Sequence, residues 1–161
     1  MTLPSHRLAD LGLSLPAVPA PVAAYLPAVR FEDVVYTAGQ LPLVKGALRA
    51  VGKVDAEVSV DDAVDCARIA ALNGLAAVAD LTGDLDVITR ILKVVVYVAS
   101  VPEFTDQPII ANGASQLLGD IFADAGRHAR SAVGVAALPL DAPVEVELVV
   151  SVGSTPTIVP L

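Results

Sequence analysis

A chain of 161 residues has room for one domain with a proper hydrophobic core. Hydrophobic residues make up 55% of it and aromatics only 4%, so small aliphatic side chains are expected to build the core and to leave apolar surface for a subunit interface. The formal charge is −8, and the ten lysines and arginines are scattered without a cluster or interleaved aromatics, which argues against a nucleic-acid backbone as partner.

Met1 to Ala20 reads as a short helix, His6 to Leu11, followed by a proline-rich arm. A mean hydropathy of +0.68 makes a membrane span worth testing. Leu11 to Val29 runs nineteen residues without a charge, yet it contains Pro16, Pro19, Pro21 and Pro27. Those prolines break helical hydrogen bonding that lipid cannot replace. With Asp10 ahead of them they also argue against a signal peptide. Ile91 to Ser100 is too short to span and is interrupted by Lys93. The expectation is a soluble chain with an arm over 1–20, one domain over 21–155 and a short tail over 156–161.

Ala28 to Phe31 and Val34 to Ala38 read as a hairpin turning at Glu32-Asp33, and Val44 to Ala50 carries another turn at Lys45-Gly46. Ser59 to Asp62 resembles a capping box. Behind it Val60, Ala63, Val64, Ala67, Ala71, Leu75 and Val78 share one helical face, while Asp61, Asp62, Asp65 and Arg68 share the other. Gly83 is the expected stop. Val87 to Ala99, rich in β-branched residues, reads as a central strand. A second helix is expected from Asp106 to Asp124, with Ile110, Ala114, Leu117, Leu118 and Ile121 on its apolar side. Arg130 to Ala136 and Val144 to Val152 are the last two strands, joined as a hairpin through Leu138-Pro139. This order predicts an α+β fold, a mixed sheet with both helices on one face.

The chemistry-bearing residues are few. His6 and His128 lack cysteine or histidine partners at ligand spacing, so no metal site is expected. The absence of a G-x-G-x-x-G or P-loop pattern indicates no nucleotide cofactor. Cys66 cannot form an internal disulfide, in keeping with a reducing cytoplasm, and it falls on the mixed-polarity side of its helix. Lys93 in an apolar strand is more commonly a snorkelling or carboxylate-paired lysine than a Schiff-base amine. His128 precedes Arg130 by two residues and would share its face, although an exposed strand-end histidine is the commoner arrangement. Arg130 heads an otherwise uncharged run to Leu140, and a guanidinium there suits one small carboxylate through two parallel hydrogen bonds. From the pattern alone, a strand with a surface arginine is the commoner meaning.

The stretch Arg-Ser-x-Val-x-Val-x-x-Leu-Pro-x-Asp-x-x-Val-Glu-Val-Glu, from Arg130 to Glu147, resembles the C-terminal signature of the RidA/YjgF family, the reactive-intermediate deaminases also labelled L-PSP endoribonucleases. Val34 to Pro42 is similar to the family's V-x-Tyr-Thr-Ser-Gly-Gln-x-Pro strand, Tyr25 stands where its N-terminal tyrosine does, and Phe104 and Asn112 resemble its Phe…Asn pair. The resemblance implies the chorismate-mutase-like fold, a homotrimer with inter-subunit pockets, and hydrolysis of 2-aminoacrylate-type enamines and imines to 2-keto acids and ammonia. This is the chemistry of a 2-iminobutanoate/2-iminopropanoate deaminase, and it needs no cofactor.

By the same resemblance Arg130 grips the substrate carboxylate and Glu145 helps to order the water. Tyr25 lines the pocket from a neighbouring subunit, Gly39 and Asn112 shape its walls, and the carbonyl of Ala132 faces the imine nitrogen. Ala132 stands where many members have cysteine, and Gly134 replaces a frequently acidic position. A non-catalytic trimer that binds a small carboxylate is the alternative, with ribonuclease and chorismate mutase behind it.

Overall fold

The structure, a computed structural model, describes residues 2–18 and 24–153, so part of the proline-rich arm and the expected tail at 156–161 lie outside the described residues. Helix α1 (Pro4–Asp10) starts two residues earlier than expected because Pro4 sits in its first turn, where a missing N–H costs nothing. The Ser5 N–H and hydroxyl both donate to the Asp86 carboxylate, at 2.8 and 2.6 Å, and so dock α1 on the main body.

Strands β1 (Ala28–Phe31) and β2 (Val34–Thr37) form the expected hairpin, with Glu32 in the left-handed region at φ 54°. The segment from Val44 to Ala50, with its turn at Lys45-Gly46, belongs to a separate ribbon. Its strands, β3 (Leu43–Val44) and β4 (Ala47–Leu48), turn at Lys45-Gly46 and lie outside the main sheet. Helix α2 (Val60–Thr82) opens on Ser59, whose hydroxyl oxygen accepts from the Asp62 N–H, and closes on Gly83 at φ 84°. Both ends are where the capping residues predict. Its buried surface is wider than one stripe and takes in Cys66, Ala70 and Ala77, because α2 packs on both the sheet and the second long helix. Cys66 is therefore a core residue and not part of a mixed-polarity side, and burial pushes its thiol up to about 11.

Strand β5 (Ile88–Ala99), α3 (Gln107–Phe122), β6 (Ala129–Val135) and β7 (Val144–Val152) complete the molecule. The sheet order is β1-β2-β7-β5-β6, antiparallel except for the β5–β6 pair. The fold is thus α+β, a mixed sheet with α2 and α3 on one face. One expectation fails: β6 and β7 are consecutive but do not pair, because β5 lies between them. The helical crossover through α3 brings β6 back parallel to β5, and the free side of β5 is already taken by β7. The connection bends through Leu140 and Asp141, both left-handed at φ 58° and 60°, and is pinned by the Gly52 N–H donating to the Asp141 carbonyl at 2.8 Å.

Alternation sorts the sheet into two faces. Val94, Val96 and Val98 on β5, and Val144, Val146, Leu148 and Val150 on β7, are fully buried against the helices. Irregularities early in β5 re-phase that strand so that Lys93, Val95 and Tyr97 turn to the open face, beside Glu147 and Glu145. Val29, Phe31, Tyr36 and Val133 leave 42–70% of their surface exposed there, so this face carries several large apolar side chains open to solvent. No helix among the described residues is long and apolar enough to cross a membrane.

Helices α2 and α3 meet at Gly113, where an added Cβ would collide with the Val64 carbonyl. At Gly119, further along α3, the same atom would meet nothing within 4 Å. Gly113→Ala should therefore cost about 1–3 kcal/mol through forced separation of the helices. Gly119→Ala should add about 0.5–1 kcal/mol by restricting the unfolded chain and favouring helix. Urea midpoints moving in opposite directions for the two variants would bear this out; equal shifts would not.

Candidate active site

Arg130 lies on the edge strand β6, opposite buried Val94, and so on the helix side of the sheet. One of its terminal nitrogens, Nη1, donates to Asn112 Oδ1 at 2.9 Å and to Ser115 Oγ at 3.1 Å. The other, Nη2, donates to the Pro108 carbonyl at 3.3 Å. The N-terminal half of α3 thus orients the guanidinium without neutralising it. Three of the five N–H donors that a guanidinium carries are used, which leaves one on Nε and one on Nη2. Among the described residues no carboxylate lies within ion-pair distance of Arg130. A held, unneutralised cation with two spare donors can take a small carboxylate.

Behind the guanidinium stands His128, half-buried, with Nε2 3.0 Å from Ser115 Oγ and Nδ1 2.6 Å from the Gly126 carbonyl. The imidazole does sit beside the arginine and is not a free strand-end histidine. Ser115, His128, Arg130 and Gly119 surround an open depression of about 390 Å³. The sequence pattern alone does not single out Ser115. Its signal is its spacing: Asn112 and Ser115 are three apart, one helical turn, and so share one face of α3.

Glu145 is on the other face of the sheet, paired across strands with Tyr97. Its carboxylate lies so close to Gly39 that an added Cβ there would collide with it, so the backbone at 39 has to be bare for this glutamate to fit. Burial, helped by the charge of Glu147, raises the Glu145 pKa above the ordinary glutamate value. Tyr97 donates to Glu147 Oε2 at 3.1 Å, so the two acids and the phenol form one patch. A carboxyl with a raised pKa exchanges protons with water more readily near neutrality.

The candidates therefore fall into separate groups within one protomer. Arg130, Asn112 and half-buried Ala132 are together on the β6 side, and Gly39 meets Glu145 on the open face. Tyr25, 51% exposed, precedes β1 at the far edge of the sheet. Gly134 abuts Gln107, whose side chain donates to the Phe104 carbonyl at 2.7 Å, so that position is filled by an amide. Ser131 faces away from Arg130, as alternation requires, and accepts from Lys93 Nζ at 3.0 Å, so Lys93 is paired with a hydroxyl and not with a carboxylate. No group of three or more His, Cys, Asp or Glu side chains that could hold a metal occurs among the described residues.

The larger cavity, about 560 Å³, is elsewhere, between Ser14 to Val18 of the arm, the β3–β4 ribbon and α2. Its lining is mostly apolar and includes neither Arg130 nor Glu145, so volume alone does not locate the chemistry.

Residues 5–152 match the family described as "YjgF/chorismate mutase-like, putative endoribonuclease". Protein TCP17 of Trypanosoma cruzi is 39% identical over 149 residues, which is 92% of this chain and 93% of that protein. The crystal structure of Atu1372 from Agrobacterium tumefaciens, a protein of unknown function, is 40% identical with a TM-score of 0.85, covering 93% of this chain and 92% of that one. E. coli TdcF with bound serine is 25% identical with a TM-score of 0.62, covering 84% of this chain and 94% of that one. The chain belongs to the YjgF/chorismate mutase-like family.

The raised Glu145 pKa has a consequence for stability. The fold prefers the protonated acid, so this contribution is fully present below the ordinary glutamate value and is lost as pH rises through the raised one. Glu145→Gln should then have a higher Tm than the unaltered chain at about pH 8 and an equal one near pH 4. A lower Tm for the variant at pH 8 would contradict the burial cause.

Proposed function

We propose that this member of the YjgF/chorismate mutase-like family hydrolyses small 2-imino acids of the 2-aminoacrylate type to 2-keto acids and ammonia, in pockets between the subunits of a homotrimer. Water oxygen adds to the C=N carbon and one of its protons goes to nitrogen; the hydroxyl proton then passes to the amine as the C–N bond breaks, leaving a ketone and ammonia. An already reactive imine needs mainly positioning for this. The carrying observation is Arg130, held by Asn112, Ser115 and Pro108 with two donors left for a carboxylate. E. coli TdcF, with its bound serine, supports a small carboxylate-bearing ligand.

Glu145 is the residue suited to order the water and carry its proton. It lies on the opposite face of the sheet from Arg130, and Tyr25 is at the opposite edge, so one protomer cannot close all three around one molecule. Seating the β6 edge of one copy against the exposed sheet face of the next, three times around, would bring one chain's Arg130 towards another's Glu145 and Tyr25. That geometry, with the uncovered Phe31, Tyr36 and Val133, supports the trimer. Sedimentation of a monomer at micromolar concentration would refute it.

Arg130→Ala should abolish carboxylate binding and imine hydrolysis while leaving assembly intact, a loss of roughly 2–4 kcal/mol, or about 30- to 1000-fold. Arg130→Lys should restore only part, since an ammonium lacks the two-pronged geometry. Ala132→Cys should change turnover little if position 132 contributes its carbonyl alone. The assay generates 2-aminoacrylate enzymatically and follows its decay. Full activity in Arg130→Ala would overturn the assignment, and carboxylate binding without hydrolysis would leave the binding-only alternative.

A further inference from the structure

The contacts behind Arg130 have a direction. A carbonyl can only accept, so the 2.6 Å contact between His128 Nδ1 and the Gly126 oxygen puts a proton on Nδ1. The neutral ring then has its lone pair on Nε2, to which the Ser115 hydroxyl donates across 3.0 Å. The Ser115 oxygen in turn accepts from Arg130 Nη1 at 3.1 Å. Adding a proton at Nε2 reverses the middle link. Ser115 must then accept from both the imidazolium and the guanidinium, and its own proton turns out towards the depression of about 390 Å³ that these side chains line.

We infer that Ser115 and His128 are a positioning relay through which the protonation state of His128 sets how tightly Arg130 holds a carboxylate. The inference rests on Arg130 being the anchor of the proposed site. Protonation acts twice in one direction, adding a second positive charge behind the guanidinium and a hydroxyl donor facing the depression. Acid therefore strengthens the grip. The other charged groups on the elements around His128 are few: Arg127 and Asp124 pair with each other at 3.4 Å, α3 carries Asp120 alone, and Lys93, next to β6, donates to Ser131 on the other face.

The test uses the full chain, with pyruvate as probe, titrated by calorimetry at about pH 8 and about pH 5.5. The unaltered chain should bind pyruvate about fivefold more tightly at the lower pH. His128→Gln should show no such rise and Ser115→Ala only part of it, since the imidazolium charge remains without the hydroxyl, and any contribution from Glu145 is common to all of these chains. A rise in His128→Gln equal to that of the unaltered chain, with binding still lost in Arg130→Ala, would overturn the relay and leave the anchor standing. Pyruvate affinity untouched by Arg130→Ala would instead overturn the anchor. Imidazole nitrogen shifts decide the relay independently of any ligand: neutral His128 should carry its proton on Nδ1, and a proton on Nε2 would sink the inference.

Discussion

The Val64 carbonyl leaves no room for a side chain at position 113, and this exclusion fixes the roll of α3 against α2. Once Gly113 is seated, Ile110, Ala114, Leu117 and Ile121 are committed to the core. Asn112 and Ser115 are then committed to the remaining side, next to β6. The guanidinium of Arg130 has acceptors waiting for it only because a contact between two helix backbones has chosen which way α3 turns. Precision at a polar site is here inherited from packing among the smallest side chains in the protein.

Much of this was legible in advance where the signal is local. The hydroxyl at Ser59 and the glycine at 83 mark the ends of α2 because capping depends on groups within a few residues. The alternation of Val144 to Val152 matches β7 residue for residue, since one of its faces is buried throughout. The pairing of strands is not local. Leu138-Pro139 looks like a hairpin turn, but only the three-dimensional path through α3 shows that β5 occupies the space a hairpin would need. Val44 to Ala50 likewise has strand-like residues, yet its turn divides it into pieces too short to join the sheet.

The site shows the same division. Arg130 and Asn112 were identified and do meet, eighteen positions apart. Gly39 and Glu145 were named for separate roles, and their shared geometry, a bare backbone making space for a carboxylate, was invisible until the chain was folded. Ser115 is not legible as a site residue from sequence, because a serine within a helix commonly bonds only to its own backbone or to water. Cys66 is buried although it lies outside the narrow apolar stripe of α2, because this helix is covered from two directions.

The placement of Arg130 and Glu145 on opposite faces of one sheet has a genetic consequence. A change at one of them leaves the other's surroundings intact. In the trimer proposed above, two alleles, one damaged at each position, would encode chains that are separately defective yet together able to form some undamaged pairings in mixed assemblies. Complementation between alleles, normally a sign of two different genes, would here arise within one.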